Sequence, residues 1–120
     1  MNVRQTLVIH PAAAPEGIYL VDTFKVPSAA RVEVEAAMRR NREFLRTLDG
    51  FCGDVVLVRA QGDSFDIATI AAWESPAAMD AAKERVAEYY RQIGFDMPAS
   101  IARWGVTLER TICMAPPELQ

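Results

Sequence analysis

Apolar and polar residues follow two different periods along this chain, and these periods predict its strands and helices. Four stretches are rich in β-branched and aromatic residues and end at proline, glycine, serine or aspartate, which is typical of β-strands. Two longer stretches repeat apolar residues every three, four and seven positions, as on one face of an α-helix. The predicted strands are 18–26, 52–60, 65–73 and 106–113, the predicted helices are 29–48 and 76–93, and 61–64 is a predicted hairpin turn.

Short polar signals mark the ends of the predicted helices. Ser75 followed by proline indicates a helix start, because the serine hydroxyl accepts from free backbone N–H groups and proline fits the first helical position. We expect Ser28 to cap the first helix in the same way, and Gly50 to follow it in a left-handed conformation. Segment 94–105 is predicted to be an irregular loop with a short turn around Ile101.

The order of these elements predicts the fold class. A β-α-β-β-α-β order is that of the ferredoxin-like split βαβ, an α+β fold with a four-stranded antiparallel sheet and both helices on one face. We predict one such domain over 18–113, an N-terminal extension over 1–17 with a short strand at 6–9, and a tail over 114–120. A chain of 120 residues has room for one core.

Both faces of the predicted sheet are apolar. Successive side chains of a strand point to opposite faces, so Ile67 and Trp73 lie on one face while Ile70 and Ala72 lie on the other. The helices cover only one face, and an apolar surface of roughly several hundred Å² is not normally left in water. We therefore expect a symmetric homodimer whose sheets pack face to face.

Composition excludes several classes of partner. The chain is 51% hydrophobic and 24% charged, which is ordinary for a globular protein. Its net charge of −3 provides no basic field for nucleic acid. No apolar run approaches the roughly 20 residues of a membrane span, and the first residues lack a secretory signal. We expect a cytoplasmic protein that binds neither nucleic acid nor membrane.

No familiar cofactor or nucleophile motif occurs. Cys52 and Cys113 are interpreted as buried, inert thiols, since two distant cysteines make neither a disulfide framework nor a zinc site. His10 is the single histidine and lies near the N-terminus, so a hydrolytic triad is not expected. Glycine-rich nucleotide motifs and metalloprotease motifs are absent from the sequence. We expect no metal and no cofactor.

Five polar or aromatic positions have more than one interpretation. Asn41 falls on the apolar stripe of the first helix, where it either bonds a backbone group or buried water, or holds a polar ligand atom. Trp73 is either core or a stacking wall. Asp22 is a charge in an apolar strand, and it points to solvent, pairs with arginine across the dimer, or acts as a base. Of Tyr89 and its neighbour Tyr90, one joins the core and one the rim.

Three segments resemble the antibiotic biosynthesis monooxygenase family. They are F-K-V-P-S at 24–28, L-D-G-F-C-G at 48–53 and A-A-W-E-S-P-A-A-M at 71–79, within a resemblance that spans about 18–111. The resemblance implies a dimeric α+β barrel. Several members oxidise electron-rich phenols or quinols with molecular oxygen and without metal, flavin or haem.

The resemblance also implies a site. Trp73 would stack on a flat substrate, Asn41 would orient it, and segment 94–105 would form a lid. The oxygenase pattern has asparagine four residues before the tryptophan and tyrosine six after it, where this chain has Thr69 and Met79. The haem-degrading branch uses a histidine on the second helix, and this chain has none there. The further candidate substrate contacts are Asp22, Phe24, Met79 and Tyr89.

The expected function is cofactor-independent oxidation of a small electron-rich aromatic compound. Two alternatives remain open at this point. One is a non-catalytic dimer that binds a small hydrophobic ligand. The other is an isomerase or cyclase on the same fold, with Asp22 as its base.

Overall fold

The computed structural model describes residues 16–120, and for Gln61 the backbone alone. The strand predicted at 6–9 and His10 lie outside the described residues. Two short 3₁₀ turns, Ser28–Ala30 and Pro117–Leu119, accompany the regular elements. The strands are β1 (Ile18–Pro27), β2 (Phe51–Gln61), β3 (Ser64–Trp73) and β4 (Thr107–Met114), and the helices are α1 (Arg31–Leu45), α2 (Pro76–Ile93) and α3 (Met97–Trp104).

The four strands form one antiparallel sheet in the order β2-β3-β1-β4. This is the strand order of the ferredoxin-like split βαβ, so the predicted α+β fold is confirmed. The side chains of the three helices pack against one face of the sheet, which we call the inner face. In the middle of this face, Asp22 of β1 lies opposite Thr69 of β3 and Arg110 of β4.

Two clusters of apolar side chains fill the space between the helices and the inner face. One lies under α1 and α3, and the other lies under α2 at the opposite end of the strands. A gap between them falls near the middle of the sheet. The first cluster contains Val26, Ala30, Val34, Phe65, Ile67 and Val106. The second contains Ile18, Leu48, Trp73, Met79 and Ala82.

The opposite side of the sheet, the outer face, carries apolar residues without a helix over them. The strand register places alternate residues of every strand on this face, as predicted. Leu57, at 54% exposure, is the most open of these large apolar side chains. Among residues 16–120 no helix covers this surface, whose apolar part consists of Tyr19, Val21, Val55, Leu57, Ala68 and Ile70.

Helix α2 begins and ends as predicted. The Ser75 hydroxyl oxygen accepts from the Ala78 N–H at 3.1 Å, and Pro76 occupies the first turn. Gly94 follows the last turn with φ = +69°, the left-handed conformation that glycine adopts without a steric penalty.

The predicted start and end of α1 are corrected by the structure. Ser28 does not cap the helix, because its hydroxyl and its backbone N–H both donate to the Asp63 carbonyl in the β2–β3 turn. The helix starts at Arg31 after a 3₁₀ turn and ends at Leu45, three residues before the predicted end. Gly50 does have the expected positive φ, at +82°.

Segment 94–105 is not the irregular loop predicted from the sequence, because most of it forms α3. The Asp96 carboxylate accepts from the Ala99 N–H at 3.0 Å, and a proline occupies the first turn. Gly105 ends the helix with φ = +71°. A capping side chain followed by a proline marks the start of this helix, as at Ser75. The helix was not predicted because two helical turns are too short to show an apolar stripe.

Candidate active site

A cavity of about 150 Å³ lies between the inner face, α1 and α3, in the gap between the two core clusters. Its walls are mainly apolar, and its polar atoms belong to a few side chains. The polar residues are Asp22, Asn41, Arg42, Asp54, Thr69, Tyr90 and Arg110. The apolar lining includes Leu20, Phe24, Val34, Ala37, Met38, Leu45, Ala71, Phe95, Met97, Ile101, Trp104 and Val106.

Two arginine–carboxylate pairs form the polar part of the wall. Arg110 of β4 binds Asp22 of β1 through Nε and Nη2, both at 2.9 Å. Arg42 of α1 binds Asp54 of β2 in the same forked geometry, at 2.6 and 3.0 Å. Both carboxylates are buried, with 5% and 6% of the residue exposed. Forked pairs of this kind are strong and directional, so they fix β4 to β1 and α1 to β2 around the cavity.

These pairs also set the charge state of the wall. The hydrogen bond to Asp54 raises the pKa of Arg42, and the hydrogen bond to Asp22 raises the pKa of Arg110. Both guanidinium groups therefore stay charged. Each uses two of its five N–H donors on its carboxylate, which leaves three for other acceptors. The carboxylate oxygens are already engaged, which makes them poor candidates for a base.

Asn41 reaches the cavity with its amide fixed by a neighbour. Its Oδ1 accepts from Nε and Nη2 of Arg40, at 3.2 and 3.1 Å. The guanidinium carbon of Arg40 lies 4.5 Å from the centre of the Phe95 ring. The Arg40 side chain, rather than the backbone group considered from the sequence, holds this oxygen.

Aromatic side chains from α2, from α3 and from the segment between them form one side of the cavity. Tyr90 meets Phe95 edge to face at 5.0 Å, and Phe95 lies 6.3 Å from Trp104. Burial raises the pKa of Tyr90, so the phenol stays protonated at neutral pH. Trp104 Nε1–H and Arg103 Nη1 both donate to Glu33 of α1, each at 2.9 Å. This pair of bonds, which we call the Glu33 latch, joins α3 to the start of α1.

The structure brings three of the six predicted site residues to the cavity. Asn41, Asp22 and Phe24 line it. Asp22 is buried and does not point to solvent. Its arginine partner, Arg110, belongs to the same chain and not to another protomer.

The other three predicted site residues lie elsewhere in the fold. Trp73 is 4% exposed within the second core cluster and meets Phe51 edge to face at 5.1 Å. Met79 is buried in the same cluster, and Tyr89 stacks on Phe44 at 4.1 Å. The first turns of α2 cover the end of β3, which explains why Trp73 is core rather than a stacking wall.

Most of the cavity lining was not predicted from the sequence, and five of these residues bear on its chemistry. Two of them carried a usable signal: Asp54, like Asp22, is a charge within an apolar strand, and Arg42 follows Asn41 on the apolar side of α1. The other three depend on strand pairing or on α3. They are Phe95, Trp104 and Arg110.

The described residues offer no other reactive centre. Among residues 16–120, no group of three or more His, Cys, Asp or Glu side chains could hold a metal ion. Cys52 is exposed and Cys113 half-buried, so the prediction of buried thiols is wrong. Partial burial and the charge of Glu74 raise the pKa of the Cys52 thiol, which keeps it protonated at neutral pH. None of the described helices is long and apolar enough to cross a membrane.

Solved structures share this fold, although no family model and no curated protein matches the chain. A mutant of SnoaB, a cofactor-independent oxygenase from Streptomyces nogalater, is 25% identical with a TM-score of 0.55, and the match covers 83% of this chain and 93% of SnoaB. ActVA-Orf6, a monooxygenase from Streptomyces coelicolor solved with the ligand nanaomycin D, is 23% identical with a TM-score of 0.55, over 88% of this chain and 94% of that one. In fold, the chain resembles the antibiotic biosynthesis monooxygenases.

The fold of these monooxygenases does not by itself carry an activity. The de novo designed protein Foldit4 matches with a TM-score of 0.54 at 8% identity, over 83% of this chain and 99% of its own. A function for this chain therefore has to rest on its cavity.

Proposed function

We propose that this protein is a cofactor-independent monooxygenase that oxidises a small electron-rich aromatic compound, a phenol or a quinol, with molecular oxygen. The observation that carries the proposal is the apolar cavity under the sheet, with guanidinium, amide and phenol groups in its wall. Apolar sites with a few placed polar groups are typical of sites for small organic ligands. The fold shared with SnoaB and ActVA-Orf6 supports the proposal.

The size of the cavity favours a single aromatic ring. A dry apolar cavity of about 150 Å³ is large enough to bind benzene. A ligand with several fused rings would need α3 to move outward, because Phe95, Ile101 and Trp104 form that wall. The Glu33 latch opposes this movement.

The proposed reaction is balanced without an external reductant. Ground-state oxygen is a triplet and reacts slowly with closed-shell molecules until it receives one electron, which a phenolate can donate. A phenol with a hydrogen at the para carbon then gains one oxygen atom at that carbon, and the O–O bond breaks. The para hydrogen and the hydroxyl proton leave with the second oxygen atom as water. Four electrons pass from the ring to O₂, and the product is a para-quinone.

The protein contributes binding and electrostatics to this reaction. Phe24, Phe95 and Trp104 would contact the ring, and Asn41 would bind its oxygen. The cationic groups of Arg42 and Arg110 would favour charge on a bound phenolate by electrostatic attraction. Trp73, Met79 and Tyr89 would act indirectly, by holding α2 against the sheet.

An isomerase or cyclase that uses Asp22 as a base is less well supported. Both carboxylate oxygens of Asp22 accept from Arg110, so removing a proton from a substrate would require this pair to open. A binding protein without turnover is distinguished from the monooxygenase by the experiment below.

We also propose that the protein is a homodimer formed through the outer face. A second copy would cover the apolar residues of that face without disturbing the cavity, which lies on the other side of the sheet. Leu57, Val21 and Ile70 would then be buried between two sheets.

Oxygen uptake with a panel of monocyclic phenols that carry a hydrogen at the para carbon tests the proposed reaction. The assay uses chelator-treated buffer without added reductant, and ¹⁸O₂ as the oxygen source. We expect one labelled atom in the quinone and one in water. Met38→Trp, which fills the cavity, should abolish uptake, whereas Val32→Trp, at a position of the same helix that is 80% exposed, should not.

Two outcomes would contradict the proposal. One is the absence of oxygen uptake by the wild type. The other is equal uptake by Met38→Trp, which would place the reaction outside the cavity. Ligand-induced thermal stabilisation without turnover would instead indicate a binding protein.

A further inference from the structure

We infer that Asn41 offers its amide NH₂ group to the ligand, that Arg40 holds it in this orientation, and that the cavity therefore selects an aromatic ring whose oxygen is an unprotonated acceptor. A phenolate is the acceptor that the proposed reaction requires. The inference deepens the proposed function and rests on it in one respect, namely that the cavity is where the ligand binds. Binding measurements without turnover test the inference.

The orientation of the Asn41 amide follows from the chemistry of its neighbour. Two N–H groups of Arg40 point at one atom of the amide, at 3.2 and 3.1 Å. A guanidinium group has five donors and no acceptor, so that atom has to be the oxygen. A rotated amide would set its own N–H groups against those of Arg40.

Arg40 is itself held from a second direction. Its guanidinium carbon lies 4.5 Å from the centre of the Phe95 ring, a cation–π contact between α1 and the segment before α3. Phe95 is braced in turn by Tyr90 at 5.0 Å. Arg40 is not part of the cavity lining, so its role is that of a positioning residue.

The other end of the Asn41 amide remains for a ligand. Its Nδ2 makes no hydrogen bond with any other residue in 16–120, and Asn41 lines the cavity. An amide NH₂ donates to a phenolate through a charge-assisted bond, which is stronger than the bond it makes to a neutral phenol. From the usual strength of hydrogen bonds to charged groups, we expect phenolate to be favoured by about tenfold or more.

Binding of 4-nitrophenol under nitrogen tests this preference, because its phenol and phenolate forms absorb at different wavelengths. In the wild type we expect the pKa of the bound nitrophenol to fall below that of the free compound. Asn41→Leu should weaken phenolate binding by about tenfold or more. Binding of nitrobenzene, which has the nitro group but no hydroxyl, should change little.

The role of Arg40 is tested by Arg40→Gln, with Arg39→Gln as the matched control. Arg39 is the preceding residue of α1 and is exposed. We expect Arg40→Gln to reduce the phenolate preference and Arg39→Gln to leave it unchanged. If Arg40 acts through Asn41, then Arg40→Gln has no further effect in an Asn41→Leu background. An equal effect in both backgrounds would show action by charge alone and would overturn the positioning role.

Three results would overturn the phenolate selection: no binding of nitrophenol to the wild type, equal binding of its two forms, or an Asn41→Leu variant with the wild-type preference. Thermal melting checks the fold of each variant. If Asn41→Leu does not fold, Asn41→Asp replaces it, because it keeps the size and should reject phenolate. Phenolate selection without oxygen uptake would refute the proposed reaction and leave this inference intact.

Discussion

Single side chains of the cavity hold their protons differently from the same groups in water. Burial raises the pKa of Tyr90 because the apolar surroundings disfavour a phenolate. Glu33, at the surface, shows the opposite change: hydrogen bonds from Trp104 and Arg103 lower its pKa. The protein thus keeps a neutral phenol inside and a charged carboxylate outside.

The raised pKa of Tyr90 predicts a loss of stability in alkali. In the unfolded chain tyrosine ionises near pH 10, whereas the folded pKa is higher, so the stabilisation is complete below about pH 10 and is lost as pH rises towards the folded pKa. We expect the free energy of unfolding to fall more steeply between about pH 9 and about pH 11 in the wild type than in Tyr90→Phe. Urea unfolding of both proteins at these two pH values measures the free energies. An equal fall in the wild type and in Tyr90→Phe would contradict this assignment.

The position of Trp73 in the core predicts an effect on stability and none on the reaction. We expect Trp73→Phe to reduce the free energy of unfolding by about 1–3 kcal/mol, as core changes usually do. Oxygen uptake per folded molecule should stay at the wild-type value. Urea unfolding measures the free energy of unfolding, and the oxygen assay measures the uptake per folded molecule. If Trp73→Phe lost oxygen uptake but kept the wild-type stability, Trp73 would instead belong to the active site.

The sequence pointed to Asn41 and Asp22 because a polar residue in an apolar pattern is visible without a structure. It did not point to Arg110, because that side chain faces inward only through the register that sets β4 against β1. For Trp73 the sequence left two interpretations open, and the structure places its side chain in the second core cluster. A tryptophan at the end of a strand looks the same from the sequence whether a helix or a ligand covers it.

At the scale of elements, the strands and α2 follow the local patterns closely, and α3 does not. Strand limits differ from the prediction by about one residue, since long alternating runs end at strong turn residues. Helix α3 has caps but only two turns, and its position over the cavity depends on the Glu33 latch and Phe95. Contacts of this kind join residues far apart in the chain, which no local pattern contains.

Breaking the Glu33 latch should speed ligand exchange with little effect on stability. Glu33→Gln removes the ion pair with Arg103 and weakens the bond from Trp104. The pair is exposed to solvent, so we expect little loss of stability. We expect 4-nitrophenol to dissociate up to about fivefold faster. Stopped-flow measurements test this. The control is Glu35→Gln, which removes an exposed pair with Arg31 on the same helix; equal rates in both variants would contradict the latch.

Gly50 joins the end of α1 to β2 at a place where a side chain does not fit. A Cβ atom there would lie 2.5 Å from the Ala78 Cβ, and φ is +82°. We expect Gly50→Ala to reduce the free energy of unfolding by about 2–4 kcal/mol, from backbone strain plus overlap. Gly94→Ala, with φ +69° and open space, should lose about 1 kcal/mol. Equal losses in urea unfolding would show that the contact with Ala78 is unimportant.

For the whole molecule, the apolar outer face is the feature with the largest consequence. The sequence predicted it correctly, because alternation along β2 and β3 is independent of what covers the sheet. Among residues 16–120 no helix covers this face, and a second copy of the chain is the partner that we propose for it.

A charge on the outer face should separate the proposed dimer. We expect Ile70→Lys to sediment as a 13.3 kDa monomer, because a lysine at the centre of an apolar interface loses its hydration without gaining a partner. Val32→Lys, at an exposed position of α1 away from that face, should remain a dimer. Sedimentation equilibrium measures the oligomeric state of both variants. A wild-type monomer at high concentration would contradict the dimer.

The two glycines that flank residues 95–104 have a practical consequence. Gly94 and Gly105 both adopt left-handed backbone conformations and add no side chain to either flank. Residues 95–104 thus form a cassette with a cap at each end, set over the cavity but outside the sheet. Exchanging this cassette is a direct route to engineering the size of the accepted compound while the four-stranded sheet stays untouched.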